Sequence, residues 1–294
     1  MKIVLTGSLG HISQPLAQEL IAQGHSVTVI SSNVYRAHDI EALGAHPAIG
    51  SLDDVDFLTA TFNGADAVYC MVPPNYAEIN QVAYYSRVGN NYAEAIRKSG
   101  VQRVVELSSY GAHLPSGTGY IVGSHQVEQI LNGVPDIALT HVRPGFFYYN
   151  LLNFIPMIKA AGFIGTNYGG DDQLATVAPA DIATIVAEEL LKPASGINVR
   201  YAVSDDRTCN EIAATLGKAI GKPDLQWLVI SSEQMHNNLT RNGLPAHIAD
   251  NLVQLGEATH SGALRQEYEQ EEVTLGKTKL DDFVEEFAKK FSDQ

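Results

Sequence analysis

The chain has 294 residues, of which 45% are hydrophobic and 18% are charged. This balance is typical of a folded protein with a sizeable core, arranged as one large domain or as two unequal ones. The net charge of −14 comes from 33 acidic and 19 basic residues. Because a phosphate backbone requires a concentrated basic surface, we predict no direct binding of nucleic acid.

Cysteine usage and hydropathy indicate the compartment. Only Cys70 and Cys209 are present, without metal-ligand spacing, so we expect no disulfide framework and a reducing, cytoplasmic setting. The apolar run at the N-terminus is too short for a secretion signal. The most apolar later segment, residues 146–165, is interrupted by Asn150 and Lys159. It is therefore predicted to be an amphipathic helix over a pocket and not a membrane span.

The first 23 residues predict a strand, a glycine turn and a helix. Lys2–Leu5 is an apolar run, and residues 15–23 have helical spacing. In the turn between them, Gly7 permits a tight bend and Gly10 allows the backbone to approach a phosphate. Ser13 stands where a third glycine would complete a G-x-x-G-x-x-G spacing. This arrangement predicts a dinucleotide whose pyrophosphate lies at the helix N-terminus; the alternative is an ordinary strand-to-helix turn.

Short apolar strands alternate with helical patterns along the next 180 residues. Such alternation predicts an α/β fold with a doubly wound parallel sheet, covered by helices on both faces. Ligands of these folds lie outside the carboxyl ends of the strands. The further strands are predicted at residues 26–30, 47–50, 67–72, 103–109, 138–142 and 199–203, and the further helices at 84–99, 126–131 and 181–191.

The amino-acid composition and the hydrophobic pattern change after Pro144. Residues 146–150 are rich in aromatic side chains, and the chain from Asp206 onward has mostly helical patterns, ending in a helix over residues 280–291. We therefore predict a dinucleotide-binding domain over residues 1–150, completed by about residues 176–204. Residues 151–175 and 205–294 are predicted to form a smaller, mostly helical C-terminal lobe.

The end of the second strand decides between NAD and NADP. An acidic residue there would hydrogen-bond the ribose hydroxyls of NAD. The chain instead has Ser31, Ser32 and Asn33, with Arg36 just beyond. Hydroxyls and a guanidinium can hold a 2′-phosphate. The sequence therefore favours NADP(H) over NAD(H), and the alternative is that Arg36 is only a solvated surface residue.

Candidate proton donors follow the predicted strand at 103–109. Ser109 and then Tyr120 suggest hydride-transfer chemistry in which a tyrosine protonates the substrate. A lysine four residues later would lower the tyrosine pKa from its usual value of about 10, but position 124 is Ser, followed by His125. Tyr120, Ser109 and His125 are the catalytic candidates, and Tyr120 is either a catalyst or a pocket wall. Nearby glycines at positions 117, 119 and 123 predict a mobile loop.

Several segments in a fixed order resemble one known family, the NmrA-like group of atypical short-chain dehydrogenase/reductases. The resemblance implies a Rossmann-type domain, a small C-terminal lobe and an NAD(P) cofactor. The chain departs from many relatives at Ser124, where they have Lys, and at Ser51, where they have Asp. The matching segments are Thr6-Gly7-x-x-Gly10, Ser108-Ser109, residues 124–128, Arg143-Pro144-Gly145-Phe146-Phe147 with Asn150, residues 180–183 and residues 210–223.

The same resemblance implies positions for the site. Residues 7–13 would line the pyrophosphate, residues 31–36 would face the adenosine phosphate, and residues 72–75 would flank the ribose. The implied cofactor-binding residues are Gly7, Ser8, Leu9, Gly10, His11, Ile12, Ser31, Ser32, Asn33, Arg36, Val72, Pro73, Pro74, Ser108, Ser109, Tyr110, Gly145 and Phe146. The implied substrate pocket consists of Tyr110, Phe147, Tyr148 and Asn150.

Two functions fit these observations. The first is an NAD(P)H-binding oxidoreductase that transfers a hydride to a quinone or another small planar acceptor. The second is a catalytically inactive redox sensor that binds NAD(P) and acts through protein partners, which the missing lysine and the acidic composition favour. A homodimer is compatible with either function. A sugar-nucleotide epimerase or dehydratase is a third and more distant alternative, because those enzymes use an intact Tyr-x-x-x-Lys pair.

Overall fold

The computed structural model describes residues 1–75 and 77–293. Its strands are β1 (Lys2–Leu5), β2 (Ser26–Ser31), β3 (His46–Ile49), β4 (Ala67–Met71), β5 (Arg103–Leu107), β6 (Ala138–Pro144), β7 (Phe146–Phe147), β8 (Ile164–Thr166), β9 (Gln173–Val177), β10 (Ile197–Ala202), β11 (Asp205–Thr208) and β12 (Trp227–Val229). Its helices are α1 (Ser13–Ala22), α2 (Ala37–Ala42), α3 (Val55–Phe62), α4 (Gln81–Ser99), α5 (Ile121–Asn132), α6 (Ile155–Ala161), α7 (Pro179–Leu191), α8 (Cys209–Ala219), α9 (Ser232–Arg241), α10 (Ala246–His260) and α11 (Leu280–Asp293).

A seven-stranded sheet in the order β10-β6-β5-β4-β1-β2-β3 is the largest element of the fold. The pairs from β6 to β3 are all parallel. Helices flank this sheet, so the predicted doubly wound α/β fold is confirmed. Between β1 and β2 the chain passes through α1, and between β4 and β5 it passes through α4, as parallel pairing requires.

The chain divides into two compact units. The first unit consists of Met1–Ser109, Gly123–Arg143 and Ile182–Arg200. Its core joins apolar side chains of β1 and β4 to those of α3, α4 and α5, including Val4, Val68 and Tyr92. Central strands have apolar residues at successive positions because both of their faces are buried, and four of the five β4 residues are buried.

The second unit consists of Tyr110–Val122, Pro144–Asp181 and Tyr201–Gln294. It contains a three-stranded sheet, β11-β9-β7, and a two-stranded sheet, β12-β8. Aromatic and aliphatic side chains from α6, α8 and α11 form its larger core, with Trp227 and Phe287 fully buried. The assignment of a dinucleotide-binding domain and a C-terminal lobe, with boundaries near residues 150, 176 and 204, stays a prediction.

Two local expectations were wrong. Residues 146–165 do not form one amphipathic helix: the segment is β7, a 3₁₀ helix at Tyr148–Phe154, the short α6 and the start of β8. Pro156 explains the break, because it stands in the first turn of α6, where its missing N–H costs nothing. Gly123 does not belong to a mobile loop. It lies in α5, where an added Cβ would come within 2.7 Å of the Tyr85 ring.

Asp181 fastens the C-terminal segment of the second unit. Its carboxylate accepts hydrogen bonds from the Ser204 hydroxyl at 2.6 Å, the Thr278 N–H at 3.0 Å and the Thr278 hydroxyl at 3.1 Å. The Cα of Gly276 lies so close to this carboxylate that a Cβ would collide with it. Asp181 thus contributes three hydrogen bonds that hold the segment preceding α11, beside the bond from the Gly276 N–H to the Val203 carbonyl.

We expect Asp181→Ala to lower the free energy of unfolding by about 3 kcal/mol, because three hydrogen bonds to a charged group are lost together. Urea denaturation measures the change. Asp281→Ala is the matched control in the same unit: that side chain is 67% exposed and forms an ion pair with Arg207, so its loss should cost less than about 1 kcal/mol. Equal effects of the two substitutions would contradict the assigned role of Asp181.

Candidate functional site

The glycine turn between β1 and α1 has two residues in the left-handed region, Gly7 at φ 88° and Ser8 at φ 54°. The Ser8 N–H donates to the Ile30 carbonyl at 3.1 Å, and the Ser8 hydroxyl donates to the Ser31 hydroxyl at 2.9 Å. Gly10 N–H donates to the Gly7 carbonyl at 3.2 Å, and a Cβ at Gly10 would lie 3.0 Å from that same oxygen. These contacts fix a tight bend and join it to the end of β2.

Ser13 performs the structural task of the absent third glycine in a different way. Its hydroxyl donates to the Thr6 carbonyl at 2.8 Å, and the side chain is only 2% exposed. A Cβ at Gly7 would lie 2.5 Å from this hydroxyl oxygen and 3.1 Å from the Met71 side chain. Helix α1 can therefore pack closely against strand β1 with a serine at position 13, provided that position 7 has no side chain.

The N-terminus of α1 points out of this turn without a capping side chain. Ile12 occupies the N-cap position, and no acidic residue lies in the first turn. The first N–H groups of a helix have no partners within the helix, and the helix dipole makes this end partly positive. The turn and the helix end together fit a phosphate group.

The end of β2 is polar and mostly exposed. Ser31 is 3% exposed, and its hydroxyl accepts a hydrogen bond from the Asn33 N–H at 3.2 Å. The Asn33 side chain then accepts from the Tyr35 N–H at 3.0 Å, so it caps a short 3₁₀ helix at Val34–Arg36. The Arg36 guanidinium lies 3.4 Å from Asp39, and both side chains are about half exposed. Exposed pairs of this kind contribute little, so Arg36 can turn to another anion at small cost.

The end of β4 is fastened from both sides. The Met71 N–H donates to the Thr6 hydroxyl at 2.8 Å, and its carbonyl accepts from the Tyr92 hydroxyl at 2.6 Å. The Pro73 carbonyl accepts from the Tyr84 hydroxyl at 3.0 Å. Val72 is buried, whereas Pro74 is exposed. The expected ribose segment, residues 72–75, therefore starts from a rigid strand end beside the glycine turn.

A buried ion pair lies beyond the end of β5. The Glu128 carboxylate of α5 accepts from Arg143 Nε at 2.9 Å and from Arg143 Nη2 at 2.7 Å, and it also accepts from the Ser108 hydroxyl at 2.5 Å. All three side chains are less than a tenth exposed. Burial acts to raise the pKa of Glu128, but the bonds from Arg143 and Ser108 outweigh it and hold that pKa below its usual value.

Next to this ion pair lies a second polar group. His141 Nδ1 is 2.8 Å from the Glu106 carboxylate, and His141 Nε2 is 2.9 Å from the Asn132 side-chain oxygen. Glu106 and His141 are direct partners in the β5–β6 register. Burial raises the pKa of Glu106 to about 7, although the hydrogen bond with His141 acts in the opposite direction.

The predicted catalytic residues are divided between the units. Ser109 and His125 belong to the first unit and Tyr120 to the second. Ser109 is partly exposed after β5, and Ser124 is nearly buried within α5. Tyr120 lies within its own unit 3.5 Å from the Ile248 carbonyl. The catalytic role of these residues stays a prediction.

The other expected nicotinamide and substrate residues lie in the second unit. Tyr110 is 9% exposed, and its ring packs edge-on against Tyr201 and Tyr268. Gly145 lies so close to the Ala175 carbonyl that a Cβ cannot be accommodated. Tyr148 is 1% exposed and stacks on Phe283, so its ring belongs to the core of that unit.

The remaining residues of this group continue along the same segment. Phe146 and Phe147 form β7 and pair with β9. Phe147 also packs against Tyr149, and Asn150 is partly exposed in the 3₁₀ helix that follows.

No role in the site was predicted for Glu106, Glu128, His141 or Arg143, although Glu128 and Arg143 lie in segments that match the family. A usable signal was present: Glu106-x-Ser108 and His141-x-Arg143 place polar residues at a spacing of two in or just after largely apolar strands. In a strand buried on both faces, such residues must find partners inside the protein.

Comparisons with known proteins decide the family. The model of the NmrA-like family matches residues 1–287. The chain belongs to the NmrA-like family.

Individual relatives of this NmrA-like protein carry different names. An NAD(P)H azoreductase from Xenophilus azovorans is 26% identical over 259 residues, which cover 86% of this chain and 85% of the relative. An NADPH-dependent quinone oxidoreductase from Escherichia coli, solved with NADPH, is 22% identical with a TM-score of 0.79, over 97% of this chain and 99% of that one. A nucleoside-diphosphate-sugar epimerase from Staphylococcus aureus is 19% identical with a TM-score of 0.80, over 97% and 99%. At these identities, the two solved structures share the fold.

Within residues 1–75 and 77–293, none of the helices combines the length and the apolar character that a membrane crossing needs.

Titration of Glu106 should make stability depend on pH. Its pKa of about 7 in the folded protein exceeds the ordinary value of 4.5, so folding favours the protonated carboxyl. This stabilisation is fully present below about pH 4.5 and is lost as the pH rises through about 7. We expect the free energy of unfolding of the wild type to fall over this range, relative to that of Glu106→Gln, by about 1–3 kcal/mol.

Urea denaturation of both proteins at a series of pH values measures this difference. Glu94→Gln is the control, because the Glu94 side chain is 54% exposed and forms a surface pair with Lys98. A difference between wild type and Glu106→Gln that is constant with pH would show that Glu106 does not titrate in this range.

Proposed function

We propose that this chain is an NAD(P)H-dependent oxidoreductase that transfers a hydride to a quinone or another small planar acceptor. The observation that carries the proposal is the turn at Gly7–Ser13, where the β1 end, an uncapped helix N-terminus and the Ser13 hydrogen bond form a cradle for a pyrophosphate. Membership of the NmrA-like family supports it, as do the names of the azoreductase and the quinone oxidoreductase among its relatives.

The residues of the first unit suit each part of the cofactor. The turn at residues 7–13 would hold the pyrophosphate, the β2 end would face the adenosine ribose, and residues 72–75 would flank the second ribose. The Ser108 backbone and the Ser109 side chain would face the nicotinamide, because all of these strands are parallel and their carboxyl ends share one edge. When bound, the reduced cofactor supplies the hydride.

A planar acceptor removes the need for a Tyr–Lys pair. Reduction of a quinone consumes one hydride and one proton, and the negative charge on the reduced oxygen is spread over the ring. Such an oxygen can take its proton from water or from a nearby histidine, whereas a simple ketone needs an acid within hydrogen-bond reach. Ser124 in place of the lysine therefore favours acceptors of the quinone type over simple ketones.

The experiment compares wild type with Gly7→Ala and Gly24→Ala. Both glycines have φ above +80°, but Gly24 has open space around it, whereas a Cβ at Gly7 meets Ser13 and Met71. We expect wild type to bind NADPH, measured by nicotinamide fluorescence, and to oxidise it with quinones. Gly7→Ala should weaken NADPH binding at least about 100-fold, while Gly24→Ala keeps it, because both pay the backbone strain but only Gly7→Ala distorts the turn.

Two results would overturn the proposal. If Gly7→Ala stays folded and binds NADPH as tightly as Gly24→Ala, the turn is not the pyrophosphate site. If wild type binds NADPH but reduces no quinone, azo compound or aldehyde from a broad panel, the chain is not an oxidoreductase of this kind.

The β2 end supports a preference for NADP(H). Arg36 forms an exposed pair with Asp39 and follows Ser31 and Ser32 in the sequence, and residues 31–33 at the strand end include no carboxylate. We expect Arg36→Ala to raise the Kd for NADPH about tenfold, because one charge-assisted contact to the 2′-phosphate is lost, and to leave the Kd for NADH unchanged. Arg97→Ala, a surface change whose side chain bonds the Gly133 carbonyl, is the control. Equal changes for both cofactors would exclude Arg36 as the residue that selects the phosphate.

A further inference from the structure

Strand β5 is anchored at both ends by a buried pair of glutamate and arginine. At its amino end, Arg103 donates to the Glu189 backbone carbonyl and lies 3.4 Å from the Glu189 carboxylate. At its carboxyl end, Arg143 and Glu128 form their two-point ion pair. Glu189 and Glu128 are 0% and 2% exposed. The two anchors lie at opposite ends of the same strand and differ in geometry: Arg143 holds both oxygens of Glu128. Arg103 bonds mainly the backbone of Glu189, and the Glu189 carboxylate also pairs with Lys192 and Arg200.

Only the anchor at the carboxyl end reaches the chain beyond the strand. The Ser108 N–H continues the sheet by donating to the Val142 carbonyl at 2.8 Å, and the Ser108 hydroxyl donates to Glu128 at 2.5 Å. Since side chains of successive residues in an extended segment point to opposite faces, a Ser108 side chain that is fixed inward directs the side chain of Ser109 to the other face. Glu128 therefore determines the orientation of the pair of serines.

Fold stability alone does not explain this arrangement. Taking two charges out of water costs several kcal/mol for each ion, and well-packed apolar residues at such sites often give equal or greater stability. What an ion pair adds is direction: a carboxylate held at both oxygens by one guanidinium has a fixed orientation, and it holds a hydroxyl at a fixed point. Such an anchor on the Ser108 hydroxyl therefore fixes the position of the backbone at Ser108.

We propose that Glu128, oriented by Arg143, is a positioning residue for hydride transfer: it holds the Ser108 hydroxyl inside the fold and so sets the backbone and the Ser109 side chain against the nicotinamide. This proposal rests on the proposed function, because it assumes that the β5 end faces that ring. It assigns the ion pair no contact with the acceptor.

The test separates the nicotinamide half of the cofactor from the adenosine half. The variants are Ser108→Ala, which removes the hydroxyl and keeps the ion pair, and Glu128→Gln, which weakens the anchor. Glu189→Gln is the matched control, because it weakens the buried pair at the other end of β5. For each protein we would measure the melting temperature, the kcat and KM for NADPH with one quinone, and the Kd of 2′-phospho-ADP-ribose, which is NADP without its nicotinamide ring.

We expect Ser108→Ala and Glu128→Gln to lower kcat at least about tenfold, because a small misplacement of the reacting atoms is costly. The Kd of 2′-phospho-ADP-ribose should stay within about twofold of wild type, since the adenosine half does not reach β5. Glu189→Gln should lower the melting temperature but leave kcat within about twofold. Ser108→Ala keeps every buried charge paired, so it remains informative if Glu128→Gln does not fold.

The possible failures are distinguishable. If wild type binds and oxidises NADPH but Ser108→Ala keeps full kcat, the positioning role is wrong and the proposed function stands. The same conclusion follows if Glu189→Gln loses as much kcat as Glu128→Gln, since a general loss of stability then explains both. If wild type neither binds nor oxidises NADPH, the proposed function fails, and the positioning role fails with it.

Discussion

Parallel pairing of β1, β2, β4 and β5 is the constraint on which the rest of the first unit depends. Parallel strands end at the same edge of a sheet, and after each strand the chain must return along one face of the sheet, usually as a helix. Peptide groups beyond the last ladder bond have no strand partner, so turns, caps and side chains must satisfy them. The Ser8 and Ser108 N–H groups meet this requirement by donating to the Ile30 and Val142 carbonyls. The Asn33 N–H donates to the Ser31 hydroxyl, and the Thr6 carbonyl accepts from the Ser13 hydroxyl. These bonds also make that edge rigid.

Ser13 shows how such a requirement can be met by an unexpected residue. A glycine at this position would allow α1 to approach β1 by leaving space empty. Serine fills the space with a hydroxyl that satisfies the Thr6 carbonyl, and the close approach then depends on Gly7 alone. The two positions are therefore coupled: any side chain at position 7 would collide with the group that replaces the third glycine.

Much of the fold was predictable because its signals are local. The alternation of strands and helices and the glycine turn can both be recognised within short windows, and the structure has the corresponding elements. Residues 146–165 were misjudged because their apolar side chains belong to four different short elements, and apolar runs do not distinguish a helix from a buried strand. The polar network under α5 was missed for another reason. Its partners, Glu106, Glu128 and Arg143, are far apart in sequence, and no periodicity indicates which buried charges will meet.

That network bears on the absent Tyr–Lys pair. A lysine at position 124 would add a cation to α5, one turn before Glu128, where the only buried carboxylate on that helix is already neutralised by Arg143. With Ser124 the helix carries no such cation, and the remaining titratable carboxyl, Glu106, is buried behind the ion pair with its pKa raised to about 7. In the first unit, Arg143 and Glu128 thus hold the end of β5. Under the proposed function, an acceptor whose reduced form takes its proton from solvent or from a histidine does not need a lysine on α5.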